Sequence, residues 1–224
     1  EAQSTSIIYS YDQLQENMTG SFNITQIALA TAFHRVGGAD ENFASETFDQ
    51  FLSNRGVMQQ RVAHQYEGIM YPNSGFIPLD LRGKPYDAKN GGIAQNTADV
   101  LVPAFLAAYT GRDINAIDFN PFLSILNALP NWSVTFDGLG RLPWMRDHFK
   151  SVNLTHAYTC KYAIGSYSSY STWVPAGELS NKQIGFVRDV TTDMPLPSSA
   201  YDISSVTLTE NFSPLIGLNM TMKN

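Results

Sequence analysis

The sequence predicts a mainly β fold with helical insertions. Two stretches, Val152–Gly165 and Phe212–Lys223, alternate residue by residue between apolar and small polar side chains, which is the period of a β-strand. Upstream of them the apolar residues change to helical spacing. Charged residues make up only 15% of the chain, below the roughly 25% of ordinary soluble domains.

The pattern divides the chain into three parts. Residues 1–36 are predicted as strands, with a turn at Asn17–Gly20. Residues 37–130, which we call the helical insertion, begin at a Gly-Gly-Ala-Asp break. Residues 131–224 return to strands and contain a long polar loop at about 168–200, with a hairpin predicted near Ile184–Val190.

Two helices are predicted within the helical insertion. Ser45 can cap a helix over 44–66, and Thr97 can cap one over 97–110 that Gly111 ends in the left-handed conformation. The second helix is apolar almost all round, so we expect it to be buried against protein.

What the apolar faces of the alternating strands contact determines the class of protein. Their apolar faces meet either a protein core, as in a soluble sandwich, or lipid, as in a membrane barrel whose polar face lines a wet lumen. Phe212–Met222 has about the 9–11 residues that a tilted membrane strand needs. Lys161, Asn219 and Lys223 all fall on the polar face. We therefore expect a fragment of a large antiparallel transmembrane β-barrel, and the alternation running to Asn224 without a turn signal favours a piece of a larger protein.

No residue pattern predicts catalysis, a cofactor or a metal. The lone Cys160 excludes an internal disulfide and a thiolate zinc site. Glu46 and Asp49 are better explained as charges favoured at a helix N-terminus than as a catalytic pair. The histidines form no close pair with a Glu or Cys at ligand spacing; they are His34, His64, His148 and His156. The chain is thus not expected to be an enzyme, and its net charge of −6 argues against nucleic-acid partners.

An aromatic group follows the long predicted strand. Tyr167, Tyr170 and Trp173 suit an aromatic girdle at a membrane interface, or a platform on which sugars stack. The second interpretation leaves an alternative function open. In it the chain is a soluble secreted adhesin or carbohydrate-binding β domain.

Five longer segments resemble one protein family in order and spacing. They are Phe48–Arg55, Asp99–Gly111, Leu129–Leu139, Phe149–Tyr158 and Phe212–Ile216. On these residues the chain, from about residue 20 onward, resembles the C-terminal part of the SprA/Sov family. Its members are the cell-surface translocons of the type IX secretion system of Bacteroidota.

The resemblance implies part of a very large outer-membrane barrel at the cell surface. Such a channel secretes folded cargo proteins with C-terminal signals, in gliding motility or in protease and adhesin secretion. Implied partners are the secreted cargo, a plug protein, a PorV-type shuttle barrel and membrane lipid. The helical insertion would lie outside the bilayer or cap the lumen like a plug, because irregular backbone cannot face lipid. The resemblance assigns no catalytic, cofactor or metal residue.

Overall fold

A computed structural model describes residues 4–12, 15–25, 31, 45–73, 75–87, 92–122, 131–176 and 184–223. The helices are α1 (Glu46–Gln65), α2 (Ala98–Thr110) and α3 (Pro143–His148), with a single turn of 3-10 helix at Gly138–Arg141. The strands are β1 (Ser4–Asp12), β2 (Gln15–Thr25), β3 (Trp132–Phe136), β4 (Phe149–Ser169), β5 (Val174–Pro175), β6 (Gly185–Arg188), β7 (Pro195–Ser198), β8 (Tyr201–Ile203), β9 (Val206–Phe212) and β10 (Gly217–Met222). The described chain is therefore mainly β with a few helices, as the sequence predicts.

The 21-residue strand β4 is the centre of the larger sheet. Along one edge it pairs antiparallel with β2 and β3, and along the other edge with β8, β9 and β10 placed end to end. β1 extends the sheet beyond β2, while β5, β6 and β7 form a separate small sheet. Within the described residues the larger sheet is open and does not close into a barrel.

Both helices of the helical insertion form where local signals place them. The Ser45 side chain accepts the Phe48 N–H, which caps α1. α2 ends at Gly111 in the left-handed conformation, with a φ of 66°. Thr97 occupies the N-cap position of α2, but its hydroxyl donates to the Ala94 carbonyl instead of capping the helix. As expected, α2 is buried on most of its surface.

The helical insertion packs onto one half of the β4 sheet. Tyr162 and Ile164 of β4 share a buried core with Val100 and Leu106 of α2. The Tyr162 hydroxyl donates to the Pro121 carbonyl at 2.9 Å, so the sheet is also hydrogen-bonded to the insertion. Satisfying a buried hydroxyl in this way avoids the cost of an unpaired polar group.

One prediction about the first two strands is wrong, and the one about the polar loop is confirmed. The turn expected at Asn17–Gly20 lies inside β2, because β1 and β2 pair continuously from Ser4↔Asn23 to Asp12↔Gln15. The hairpin predicted near Ile184–Val190 is confirmed: β6 lies in that range and pairs with β7 across a turn between Asp189 and Met194. The Asp189 carboxylate fixes that turn by accepting the Thr191 N–H. The predictions for residues 26–30, 32–44 and 123–130 lie outside the described residues.

The last strand is also not continuous. Phe212 pairs with Tyr158, but the next strand pair is Gly217 with Thr155, so the chain bulges by two residues between β9 and β10. Pro214 falls in this bulge; it lacks an N–H and cannot continue the ladder. The predicted single strand Phe212–Met222 is therefore wrong. Because two residues are an even number, side chains keep their faces across the bulge.

Candidate functional site

The side chains of β4 divide the sheet into two faces of opposite chemistry. We call the side of Tyr162 and Ile164 the apolar face, and the side of Thr159 and Lys161 the polar face. β4 has one residue more than β2 between its pairs at Ile164 and Tyr167, which returns Tyr167 to the apolar face. The polar face carries small or hydrophilic residues that are exposed, among them Ser133, Thr135, Thr159, Lys161, Thr207, Thr209 and Asn219.

The apolar face is covered in its upper half and largely exposed in its lower half, where Val152 is buried. We call the lower half the apolar band; it runs across β3, the first part of β4 and β10. Its members share one face by register, because Phe136 and Leu218 both lie opposite Leu154. Val152 of β4, opposite Met220, is buried on this face, and Leu154 and His156 are partly buried. The other residues are about half exposed or more; they are Val134, Phe136, Leu218, Met220 and Met222. Contiguous exposed apolar surface of this kind marks a site of contact with a membrane or a partner.

The bulge between β9 and β10 adds to the exposed surface. Ile216 is 75% exposed and Leu215 is 46% exposed. Backbone bonds between Ala157 and the Ser213–Pro214 pair hold the bulge against β4. The Leu215 carbonyl lies 2.6 Å from Nδ1 of His156, so this ring nitrogen is engaged with the backbone of the bulge.

A row of aromatic rings marks the upper limit of the apolar band. Trp132, Tyr158 and Phe212 lie opposite one another on β3, β4 and β9, and we call them the aromatic row. The Trp132 and Tyr158 rings stack at 4.4 Å, and the Tyr158 and Phe212 rings lie 5.1 Å apart. Such cross-strand pairs are a main source of stability on one face of a sheet.

A carboxylate lies directly above the aromatic row. Glu210 is opposite Cys160, one step further from the apolar band, and its Oε1 accepts the Tyr158 hydroxyl at 2.6 Å. Cys160 is fully buried and packs with Trp132, Leu208 and Phe212.

The lower end of the apolar band is aromatic and basic. Trp144 of α3 is 59% exposed. Three cations lie exposed around the start of β4, namely Arg146, Lys150 and Lys223. The Lys223 N–H donates to the His148 carbonyl at 3.0 Å, which brings the C-terminal end of β10 against α3.

A buried carboxylate lies in the covered half. Asp99, in the first turn of α2, accepts the Ser199 N–H at 2.9 Å and so ties the insertion to the segment after β7. Burial raises the pKa of the Asp99 carboxyl, opposed by its hydrogen bonds from Ser199. A cavity of about 200 Å³ adjoins it, with Tyr66 and Asp118 in its wall. No His, Cys, Lys or Arg is among the described residues lining this cavity.

The three aromatic residues suggested for sugars or a girdle do not act as one surface. Tyr167 is 5% exposed and packs edge-on against Phe122 at 4.8 Å, within the core. The Trp173 indole N–H donates to the Ser198 carbonyl at 3.0 Å. Tyr170 alone of the three is exposed. The observed aromatic row is a different set, ten or so residues further down the sheet.

The remaining sequence candidates also have ordinary surroundings. Glu46 and Asp49 lie in the first turn of α1, where the helix dipole favours negative charge. His64 lies on the surface near Glu67. The described residues bring no three metal-ligating side chains together.

Comparison with known proteins adds no family. No protein-family model matches the chain, and no curated protein sequence matches it. Of the helices that the structure describes, none has both the length and the apolar character to cross a membrane.

Sequence reasoning missed the aromatic row and the basic lower end. Each aromatic residue of the row has the correct parity, but only the register shows that Trp132, Tyr158 and Phe212 are neighbours. The register depends on pairing between segments far apart in the chain, and the bulge at Ser213–Ile216 shifts it by two residues. A search for aromatic residues that lie at the same distance from the charged end of each predicted strand could have suggested both the aromatic row and the basic lower end.

Proposed function

We propose that this chain is part of the wall of an outer-membrane protein-conducting channel of the SprA/Sov class, at the bacterial cell surface. The apolar band faces lipid and the polar face lines a water-filled lumen. Three of the five segments that carry the resemblance, Leu129–Leu139, Phe149–Tyr158 and Phe212–Ile216, supply strands or boundaries of the apolar band. The described open sheet is then a section of a closed antiparallel barrel.

The exposed apolar band is the observation that carries this proposal. Met220 and Leu218 are each 49% exposed on the same face on which Ile164 is fully buried. Between the aromatic row at Tyr158 and Phe149, β4 runs for roughly ten residues, which is the length of a tilted membrane strand. Aromatic residues at both limits resemble the girdles of outer-membrane barrels.

The proposed channel places the helical insertion outside the bilayer. It packs on the apolar face above the aromatic row, where Tyr162 meets Pro121 instead of lipid. Its irregular segments, such as residues 111–122, could not face hydrocarbon. On this proposal the insertion lies against the outer surface of the wall.

The polar face supports a passive role in transport. Its exposed Ser, Thr and Asn side chains offer hydrogen bonds to water and few apolar surfaces to which a folded protein could adhere. Secreted cargo would pass this face, while a plug protein and a PorV-type shuttle barrel would be the partners of the whole channel. No residue of this chain is assigned to catalysis or to either partner.

The alternative, a soluble adhesin or carbohydrate-binding domain, has less support from the geometry. Tyr167 is buried and the half-buried Trp173 is tied to backbone through its N–H, so the three rings do not form one open stacking surface. It would also leave the apolar band in water, which soluble monomers rarely tolerate.

Accessibility of neighbouring residues tests the proposal. Single cysteines replace Met220 or Asn219, one on each face, in the gene product that contains this sequence, reconstituted in lipid vesicles. A nitroxide at Met220→Cys should collide mainly with oxygen, which concentrates in lipid, and one at Asn219→Cys mainly with a water-soluble nickel chelate. Unsubstituted protein reports any labelling of buried Cys160. Equal nickel access at both positions would refute a lipid-facing band.

A further inference from the structure

Unpaired cations gather at the lower end of the apolar band. Arg141 ends the 3-10 turn, Arg146 lies in α3, Lys150 is at the start of β4, and Lys223 follows β10. We call these four residues the basic rim. All four are exposed, and none has a side-chain hydrogen bond or ion pair with another described residue.

The basic rim contrasts with the charge of the chain. These four are among 14 Lys and Arg residues in a chain of net charge −6. The segment from 137 to 150 also holds Asp137 and Asp147, so the rim retains a positive balance. Because no described carboxylate neutralises the four cations, their charge is available to an outside anion.

The basic rim lies at the edge of the apolar band, beside an exposed tryptophan. Lys150 is separated from Tyr158 by about 26 Å along β4, at roughly 3.3 Å per residue. The apolar band fills this interval, and Trp144 stands exposed at the same end as the basic rim. Trp with Lys or Arg beside an apolar surface is typical of the boundary between hydrocarbon and headgroups.

We propose that the basic rim binds the phosphate groups of lipid headgroups at one surface of the bilayer, and so fixes the depth of this section of the wall. The proposal rests on the lipid-facing band proposed above. Guanidinium groups bind phosphate oxygens in pairs, and the ammonium group of Lys150 adds a point charge. Lys223 has the parity of the polar face, so it adds positive charge at this end of the sheet and is not assigned a headgroup contact. Lipid is favoured over a free phosphate because the cations adjoin an apolar surface that acyl chains would cover.

Lipid selectivity at the protein surface tests this. The gene product is reconstituted in phosphatidylcholine vesicles that contain a trace of spin-labelled phosphatidic acid or phosphatidylcholine, and the motionally restricted fraction of each label is measured. We expect preference for the phosphatidic acid, and a fall of about fivefold or more in that preference for Arg146→Gln/Lys150→Gln. High salt should reduce the preference in the unsubstituted protein.

A matched pair of substitutions controls for total charge. Lys84→Gln/Lys161→Gln removes two exposed cations elsewhere and should leave the preference unchanged. An equal fall in both variants, or none in the rim variant, would overturn the proposal. Competition by soluble glycerol phosphate at constant ionic strength would instead assign the rim to a free phosphate. If the nitroxide at Met220 is exposed to lipid but the rim variant keeps its lipid selectivity, headgroup binding by the basic rim is refuted while the proposed channel wall stands.

Discussion

The upper and lower halves of the apolar face have the same alternation but different neighbours. Above the aromatic row, Tyr162 and Ile164 are fully enclosed by the helical insertion. Below it, Leu218 and Met220 are half exposed. Alternation therefore reports which residues share a face, and it does not report what covers that face.

Composition differs between the halves in a way that fits their neighbours. The covered half contains polar atoms within its core, and the Tyr66 and Tyr162 hydroxyls donate to the carbonyls of Gly185 and Pro121. The exposed half consists mainly of Val, Leu, Met and Phe side chains, which need no hydrogen-bond partner, and the His156 imidazole of β4 is bonded within the protein to the Leu215 carbonyl. A surface against lipid can offer no such partners, whereas a protein core can.

The largest expected effect comes from making the same substitution, Ile→Ala, in each half of the apolar face. Ile164→Ala removes a fully buried side chain and should lower the free energy of unfolding by about 2–5 kcal/mol, through lost burial and a residual cavity. Ile216→Ala, at a residue 75% exposed within the protein, should lower it by less, because this substitution leaves no cavity between protein side chains. Urea unfolding of both variants measures the difference. Equal losses would mean that Ile216 is covered in the protein as it exists.

Local signals explain why the helices could be predicted. The Ser45 cap and the left-handed Gly111 each act within a few residues, and the apolar content of α2 requires burial whatever its partner is. The faces of β4 followed in the same way from a period of two. The sequence therefore predicted the mainly β class and both helices.

Long-range pairing explains what could not be predicted. The continuous β1–β2 pairing overrode the turn expected at Asn17–Gly20, and the Pro214 bulge divided the last strand. Phe122 covers Tyr167 because the helical insertion folds back onto the sheet. The two residues are far apart in the sequence, so no local pattern predicts this contact. The basic rim likewise needs Lys223 to return beside His148.

A charge placed in the lower half tests whether its neighbour is lipid. Leu218→Lys, opposite Leu154 in the middle of the apolar band, should cost about 2–4 kcal/mol when the gene product folds into vesicles. Asn219→Lys, one residue away on the polar face, should cost less than about 1 kcal/mol. Denaturant titration in the presence of vesicles gives both values. If Leu218→Lys costs no more than Asn219→Lys, water and not hydrocarbon surrounds this side chain.

The smallest expected effect concerns the buried carboxylate of the covered half. Because burial raises the pKa of Asp99 in the folded state, the folded protein binds a proton more tightly than the unfolded chain does. Its contribution to stability is therefore present below the ordinary aspartate pKa of 3.8 and is lost as the pH rises through the higher folded value. Asp99→Asn keeps an acceptor for the Ser199 N–H and should remove this slope, which for one proton is at most about 1.4 kcal/mol per pH unit. Urea unfolding across acidic pH, with exposed Asp80→Asn as the matched control, measures it; an unchanged slope in Asp99→Asn would show that water reaches this half of the sheet as well.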